Sequence, residues 1–268
     1  MPLASIKTLV SCTALLAVAP LNATVFFNDT FDSGIGSWVG ASGVTAAINT
    51  SNVLGTGNAL SGTTGSASIN LLALGFTSQT LSTVGDSLSI AFDYRWIASS
   101  TAIVDRIPAF GLYNSAGTGV YTDDMGYNVQ VITSSVKLQS EAGGDNIALA
   151  GNDDVAINGA SVAYTYSAAA VVRFTFTLER ILTGLKITTT LTPTGDSTPA
   201  VNLSSTVTSP LTFTYDEFLL RSRSTNYYLD NVSIDFTAAA VPEPASAASI
   251  TGLVALGFIA LRRRRPAS

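Results

Sequence analysis

The chain has 268 residues, of which 47% are hydrophobic and only 12% charged, with a net charge of −5, a single cysteine and no histidine. The missing histidine excludes Ser-His-Asp and Cys-His catalysis and histidine zinc sites, and the lone cysteine excludes an internal disulfide. Lys7 and Arg262 to Arg265 hold five of the thirteen bases. With Glu243 also set aside, the body keeps eight bases against seventeen acids, a net of −9, which argues against nucleic acid or anionic lipid as its partner.

In chain order, Lys7, the apolar run Thr8 to Ala19 and the small-residue exit Leu21-Asn22-Ala23 have the layout of a secretory signal peptide. Its apolar stretch is too short to span a bilayer, and cleavage after Ala23 is expected, giving a signal peptide over 1–23. Ala17-Val18-Ala19 has the better small-residue pattern but puts Pro20 directly downstream. Cys12 lies inside this segment. Leu9-Val10-Ser11-Cys12 has the form of a lipoprotein acylation box, with almost no apolar run before it. Once Cys12 is removed, the exported domain has no thiol and holds together by burial, for which 217 residues from Thr24 to Ala240 suffice.

The body reads as strands and turns. Leu88, Ile90, Phe92, Tyr94 and Trp96 alternate with Ser87, Ser89, Ala91, Asp93 and Arg95, the signature of a half-buried antiparallel strand. Val172, Phe174, Phe176 and Leu178 repeat the pattern, as do Leu185, Ile187, Thr189 and Leu191. Between those two runs, Ile181-Leu182-Thr183-Gly184 predicts a hairpin with a four-residue loop. Turn clusters recur at Gly55 to Gly57, Gly62 to Gly65, Gly117 to Gly119, Gly143-Gly144-Asp145, Gly151 to Asp154 and Gly195-Asp196. Ala41 to Gly65 suits either a loop or a weak edge strand, and Ile234 and Phe236 close a last strand. With no helical period anywhere in the body, the expectation is an all-β antiparallel β-sandwich over 24–236, followed by a spacer over 237–241.

The tail changes character. Pro242-Glu243-Pro244 cannot join a sheet or helix interior and reads as extended. Ala245 to Leu261 is free of charge, and as a transmembrane helix it would be ~26 Å long against a hydrocarbon core of ~30 Å. Arg262, Arg263, Arg264 and Arg265 would snorkel to the headgroups, stop transfer and leave the body outside. These three ordered features resemble the PEP-CTERM sorting signal, over 242–268. The resemblance implies recognition of Pro242, Glu243 and Pro244 by an exosortase, a membrane-embedded peptidase. It further implies an inner-membrane-tethered precursor, a transient membrane helix, and delivery to the cell surface or extracellular matrix of a Gram-negative-type bacterium.

The body resembles, more loosely, concanavalin A-like and laminin-G-like jelly rolls. Phe27 to Trp38 pairs with Tyr227 to Ile234 as opening and closing strands, with Phe110-Gly111-Leu112-Tyr113 and Arg173 to Thr192 between them. Galactose-binding-like jelly rolls share the two end strands. Laminarinase-type enzymes on this sandwich carry Glu-x-Asp-x-Glu. The body's three glutamates, Glu141, Glu179 and Glu217, stand in no such pattern, so no catalytic residue is expected. Asp123-Asp124, Asp145-Asn146 and Asn152-Asp153-Asp154 place oxygen ligands in turns, and Asp29, Asp32 and Asp230 meet if the end strands pair. Calcium would suit such groups, but so does the plain turn preference of Asp and Asn, and no metal ligand or cofactor is assigned. Tyr113, Tyr121, Tyr127 and Tyr164 lie beside turns as carbohydrate-contact candidates, against the plainer reading of half-buried strand aromatics. Trp38 and Trp96 read as core. The expected role is a non-catalytic surface protein associated with exopolysaccharide or another glycan, or else a structural matrix protein, with a glycan-active enzyme as the third reading behind both.

Overall fold

The computed structural model describes residues 23–42, 44–55, 57–64, 71–97, 108–117, 124–132, 134–143, 155–165, 170–222 and 226–240. The signal segment before Ala23, the sorting-signal residues Pro242, Glu243 and Pro244, the apolar stretch 245–261 and Arg262 to Arg265 lie outside them. By its contacts Asn22–Ala239 forms one compact body. Among the described residues there are fifteen strands and no helix, arranged as two antiparallel sheets.

Sheet A contains β1 (Ala23–Asp29), β3 (Val44–Asn49), β4 (Ala59–Thr64), β6 (Ser87–Ile97), β11 (Val171–Ile181), β12 (Gly184–Pro193), β13 (Val201–Val207) and β15 (Asn226–Thr237). Its order is β13-β12-β11-β6-β15-β4-β3, with β1 also paired to β15. Sheet B contains β2 (Trp38–Ser42), β5 (Leu71–Thr80), β7 (Ala109–Asn114), β8 (Met125–Ile132), β9 (Ser135–Glu141), β10 (Val155–Ala163) and β14 (Thr214–Arg221). Its order is β10-β9-β8-β7-β14-β5-β2. The stretch 41–65 thus supplies the end of β2 and then β3 and β4, with β3 at the edge of sheet A.

The alternating runs do what their period dictates. Leu88, Ile90, Phe92, Tyr94 and Trp96 of β6 are buried between the sheets, while the intervening residues are half-exposed. Thr189 takes a core position by donating its hydroxyl to the Thr175 carbonyl at 2.8 Å. Four phenylalanines join the layers: Phe92 and Phe174 of sheet A stack at 5.3 Å, and Phe92 meets Phe110 and Phe218 of sheet B at 5.0 and 5.6 Å. Trp38 and Trp96 are both in this core. The outer surface of sheet A is laced by hydroxyls, Ser89 with Thr177 at 2.9 Å and Thr188 with Ser204 at 3.1 Å.

One expectation needs correction. The β11–β12 hairpin pairs Ile181 directly with Gly184, so its loop has two residues rather than four. Leu182 is 88% exposed there, and Gly184 (φ 140°) packs so close to the Val207 carbonyl that a side chain would collide with it. The far end of the body is tied down by Asp86, which accepts from the backbone N–H of Thr83 and of Ala239, both at 2.7 Å.

Candidate functional site

Two irregular stretches, one in each sheet, shape an opening in the surface described. In β1, Val25 pairs with Asp235 and Phe27 with the adjacent Ile234, so Phe26 is an extra residue. In β5, Gln79 pairs with Tyr215 and Gly75 with Glu217, so three residues of β5, Phe76 to Ser78, stand against Asp216 alone. Such bulges bend a strand and re-aim its side chains. They bring Phe26 against Phe76, ring centroids 5.6 Å apart. Beyond Leu74, β5 has also lost its β2 neighbour, because β2 begins at Trp38.

The result is a cleft of about 680 Å³ whose lining includes Phe26, Phe27, Gly75, Phe76, Ser115 and Asp216. That volume lies within the range of small-molecule sites. Asp216 is held by the Ser115 N–H, 2.8 Å from its Oδ1. A Cβ built on Gly75 meets nothing within 4 Å, so this glycine opens directly onto free space.

Beside the cleft runs a polar row. The register places Glu217 of β14, Tyr113 of β7, Gly126 of β8 and Glu141 of β9 side by side on the outer face of sheet B. Tyr113 lies flat because two glycines leave room for its ring: a Cβ on Gly126 would come 2.6 Å from Tyr113 Cδ1, and one on Gly111 2.8 Å from Cε2. Glu217 and Asp124, 6% and 1% exposed, form a carboxyl pair at the end of this row. Burial pushes Glu217 up to about 9, and the Asp124 charge, a hydrogen bond to Asp124 and the Asp216 charge push the same way. At neutral pH Glu217 therefore keeps its proton and donates it to Asp124. Asp124 is a buried partner of this pair rather than a solvent-facing turn residue.

The other residues singled out from the sequence fall as follows. Tyr113 and Tyr127 are fully buried, and the Tyr127 hydroxyl accepts from the Leu211 N–H at 2.7 Å. Tyr164 packs partly buried against the core, while Tyr121, Asp123, Asp145, Asn146 and Asn152 to Asp154 lie outside the described residues. Glu179 pairs with Lys186 at 3.4 Å on the surface. Ala23 opens β1, opposite Thr237.

Asp29, Asp32 and Asp230 do gather where β1 meets β15. Asp29 accepts from the Phe31 N–H at 2.8 Å and from the Trp38 indole at 3.0 Å. Asp32 accepts from the Asn58 N–H at 3.2 Å and the Thr30 hydroxyl at 3.0 Å. Asp230 is buried, which pushes it up to about 6; the Asn231 N–H opposes that shift, and the Asp93, Asp32 and Asp29 charges reinforce it. These acids serve as acceptors for the turn and the tryptophan. Among the described residues no group of three or more acidic, cysteine or histidine side chains converges to hold a metal.

No family model matches the chain, and no curated protein matches it in sequence. Its fold does match solved structures. A carbohydrate esterase from the Shiga toxin-encoding bacteriophage phi24B superposes with a TM-score of 0.51 at 13% identity, covering 81% of this chain and 100% of that one. The winged bean acidic lectin complexed with methyl-α-D-galactose gives 0.51 at 11%, covering 81% and 99%. The lectin UEA-II complexed with galactose gives 0.50 at 12%, covering 82% and 99%. The body has the lectin-type jelly-roll fold.

Sequence reasoning found none of the cleft residues. The one available signal was the adjacent pair Asp216-Glu217, which breaks the alternation of its strand. The bulges that turn that break into an opening depend on pairing partners far away in the chain.

Proposed function

We propose that this protein is an exported, exosortase-sorted cell-surface protein whose jelly-roll body associates, without catalysis, with exopolysaccharide or another surface glycan. The observation that carries the glycan reading is the cleft at the β1 and β5 bulges. It offers apolar rings for the faces of sugars and hydroxyl, backbone and carboxylate groups for their edges, the combination that sugar recognition requires. The two glutamates of the row beside it do not have the spacing of a glycosidase pair. Glu217 and Glu141 stand three strands apart, roughly 14 Å, whereas paired glycosidase carboxyls lie about 5–9.5 Å apart.

The sorting half of the proposal rests on the tail. Pro242-Glu243-Pro244, an uncharged stretch of membrane-helix character and Arg262 to Arg265 follow one another in the order a processed sorting signal needs. Deleting Pro242 to Pro244 should leave the protein uncut at the inner membrane, and normal processing of that deletion would contradict it. For the body, a glycan array with the full-length chain in detergent should return binding to a defined set of glycans. No binding, with or without added calcium, would overturn the glycan reading in favour of a structural component of the matrix.

A further inference from the structure

The charge around the cleft narrows the class of glycan it can take. Among the described residues, Asp216 is the one ionisable group in its lining, with one carboxylate oxygen held by the Ser115 N–H. The Asp124–Glu217 pair is close enough for the Asp216 charge to act on Glu217. The described cations are committed elsewhere: Arg95, Arg173 and Arg180 donate to the carbonyls of Val53, Asn231 and Leu81 at 3.0, 2.8 and 2.8 Å. Lys186 is paired with Glu179. Arg221 lies four residues along β14 from Glu217, about 13 Å away by strand rise, and Lys137 stands in the same far row through Gln130.

We infer that this cleft admits uncharged sugar rings and rejects sugars that carry a carboxylate, so the protein binds neutral rather than uronate-bearing glycan. The inference rests on the glycan reading above. A uronate seated against the Phe26 and Phe76 rings would place its charge beside Asp216 with no described cation to answer it. Low-polarity walls strengthen that repulsion, and a like-charge contact at about 5 Å in a partly desolvated cleft weakens binding roughly tenfold or more.

The test uses the full-length protein in detergent and a panel of neutral hexose oligomers, each matched with its counterpart oxidised at C6 to the carboxylate. Calorimetry should show the neutral member binding at least about tenfold tighter at low salt. Raising the ionic strength should narrow the gap in the wild-type protein, because screening relieves repulsion at a solvent-open site. Asp216→Asn keeps the acceptor for the Ser115 N–H, and should raise uronate affinity several-fold while moving the neutral oligomer much less. Equal or tighter binding of the carboxylate members, or a gap that neither salt nor Asp216→Asn changes, would overturn the inference while leaving glycan binding intact. Absence of binding to every oligomer would instead remove the underlying reading and the inference with it.

Discussion

Glu217 is the side chain whose environment departs furthest from that of a surface carboxyl, and it sets the pH behaviour expected of the fold. Its carboxyl is raised in the folded state to about 9, so between the unfolded carboxyl range near 4.5 and about 9 only the unfolded chain has released the proton. The folded state then binds more protons, and stability falls as pH rises through that window. Asp230, raised to about 6, adds a fall of the same sign at lower pH. Thermal melts should therefore show the highest melting temperature in mild acid and a steady decline towards pH 9. Glu217→Gln should flatten the upper part of that decline, and a profile equally steep in the variant would contradict the assignment. Tyr113 supplies a second residue-scale prediction. Gly126→Ala puts a methyl group against the Leu112 carbonyl oxygen and into the space taken by the tyrosine ring, and should cost about 1–3 kcal/mol in denaturant titrations. None of this is readable from Glu217 or Gly126 as letters, because each acquires its role from a partner on another strand.

At the scale of elements, legibility follows period. The alternation in β6, β11 and β12 names the buried face of each strand, and Leu88, Ile90, Phe92, Tyr94 and Trp96, like Val172, Phe174, Phe176 and Leu178, all lie in the core. Amphipathic period is a local property, so it survives without knowledge of the partner strand. The bulges at Phe26 and at Phe76 to Ser78 are not local: each is a mismatch in length between two strands distant in sequence. The hairpin at Leu182-Thr183 shows the same limit on a small scale, since Ile181 and Gly184 look like loop residues until their pairing is seen. Phe92 lies at the contact between the sheets, and its replacement tests that contact. Phe92→Ala should cost about 3–5 kcal/mol by chemical denaturation, since it leaves Phe110, Phe174 and Phe218 facing a void.

For the molecule as a whole, composition and turn spacing were enough for an antiparallel sandwich, and the two sheets with their lectin-type neighbours agree with that expectation. The end strands also pair as β1 on β15, which gathers Asp29, Asp32 and Asp230 at one place. The cleft was hidden, because it lies where β2 stops covering β5 and where the bulges of β1 and β5 bring Phe26 against Phe76. The proposed contact of the body with glycan thus lies at one cleft, and Tyr113 and Tyr127, named as candidates from sequence, are buried strand aromatics. Gly75 allows that assignment to be tested with the fold undisturbed, since it lies in a strand and its missing side chain would face open space. Calorimetric titration of the wild-type protein and of Gly75→Trp with the same neutral oligosaccharide is the direct measurement. Affinity should fall by at least about tenfold in Gly75→Trp with an unchanged melting temperature, whereas equal affinity in the two proteins would contradict glycan binding at this cleft.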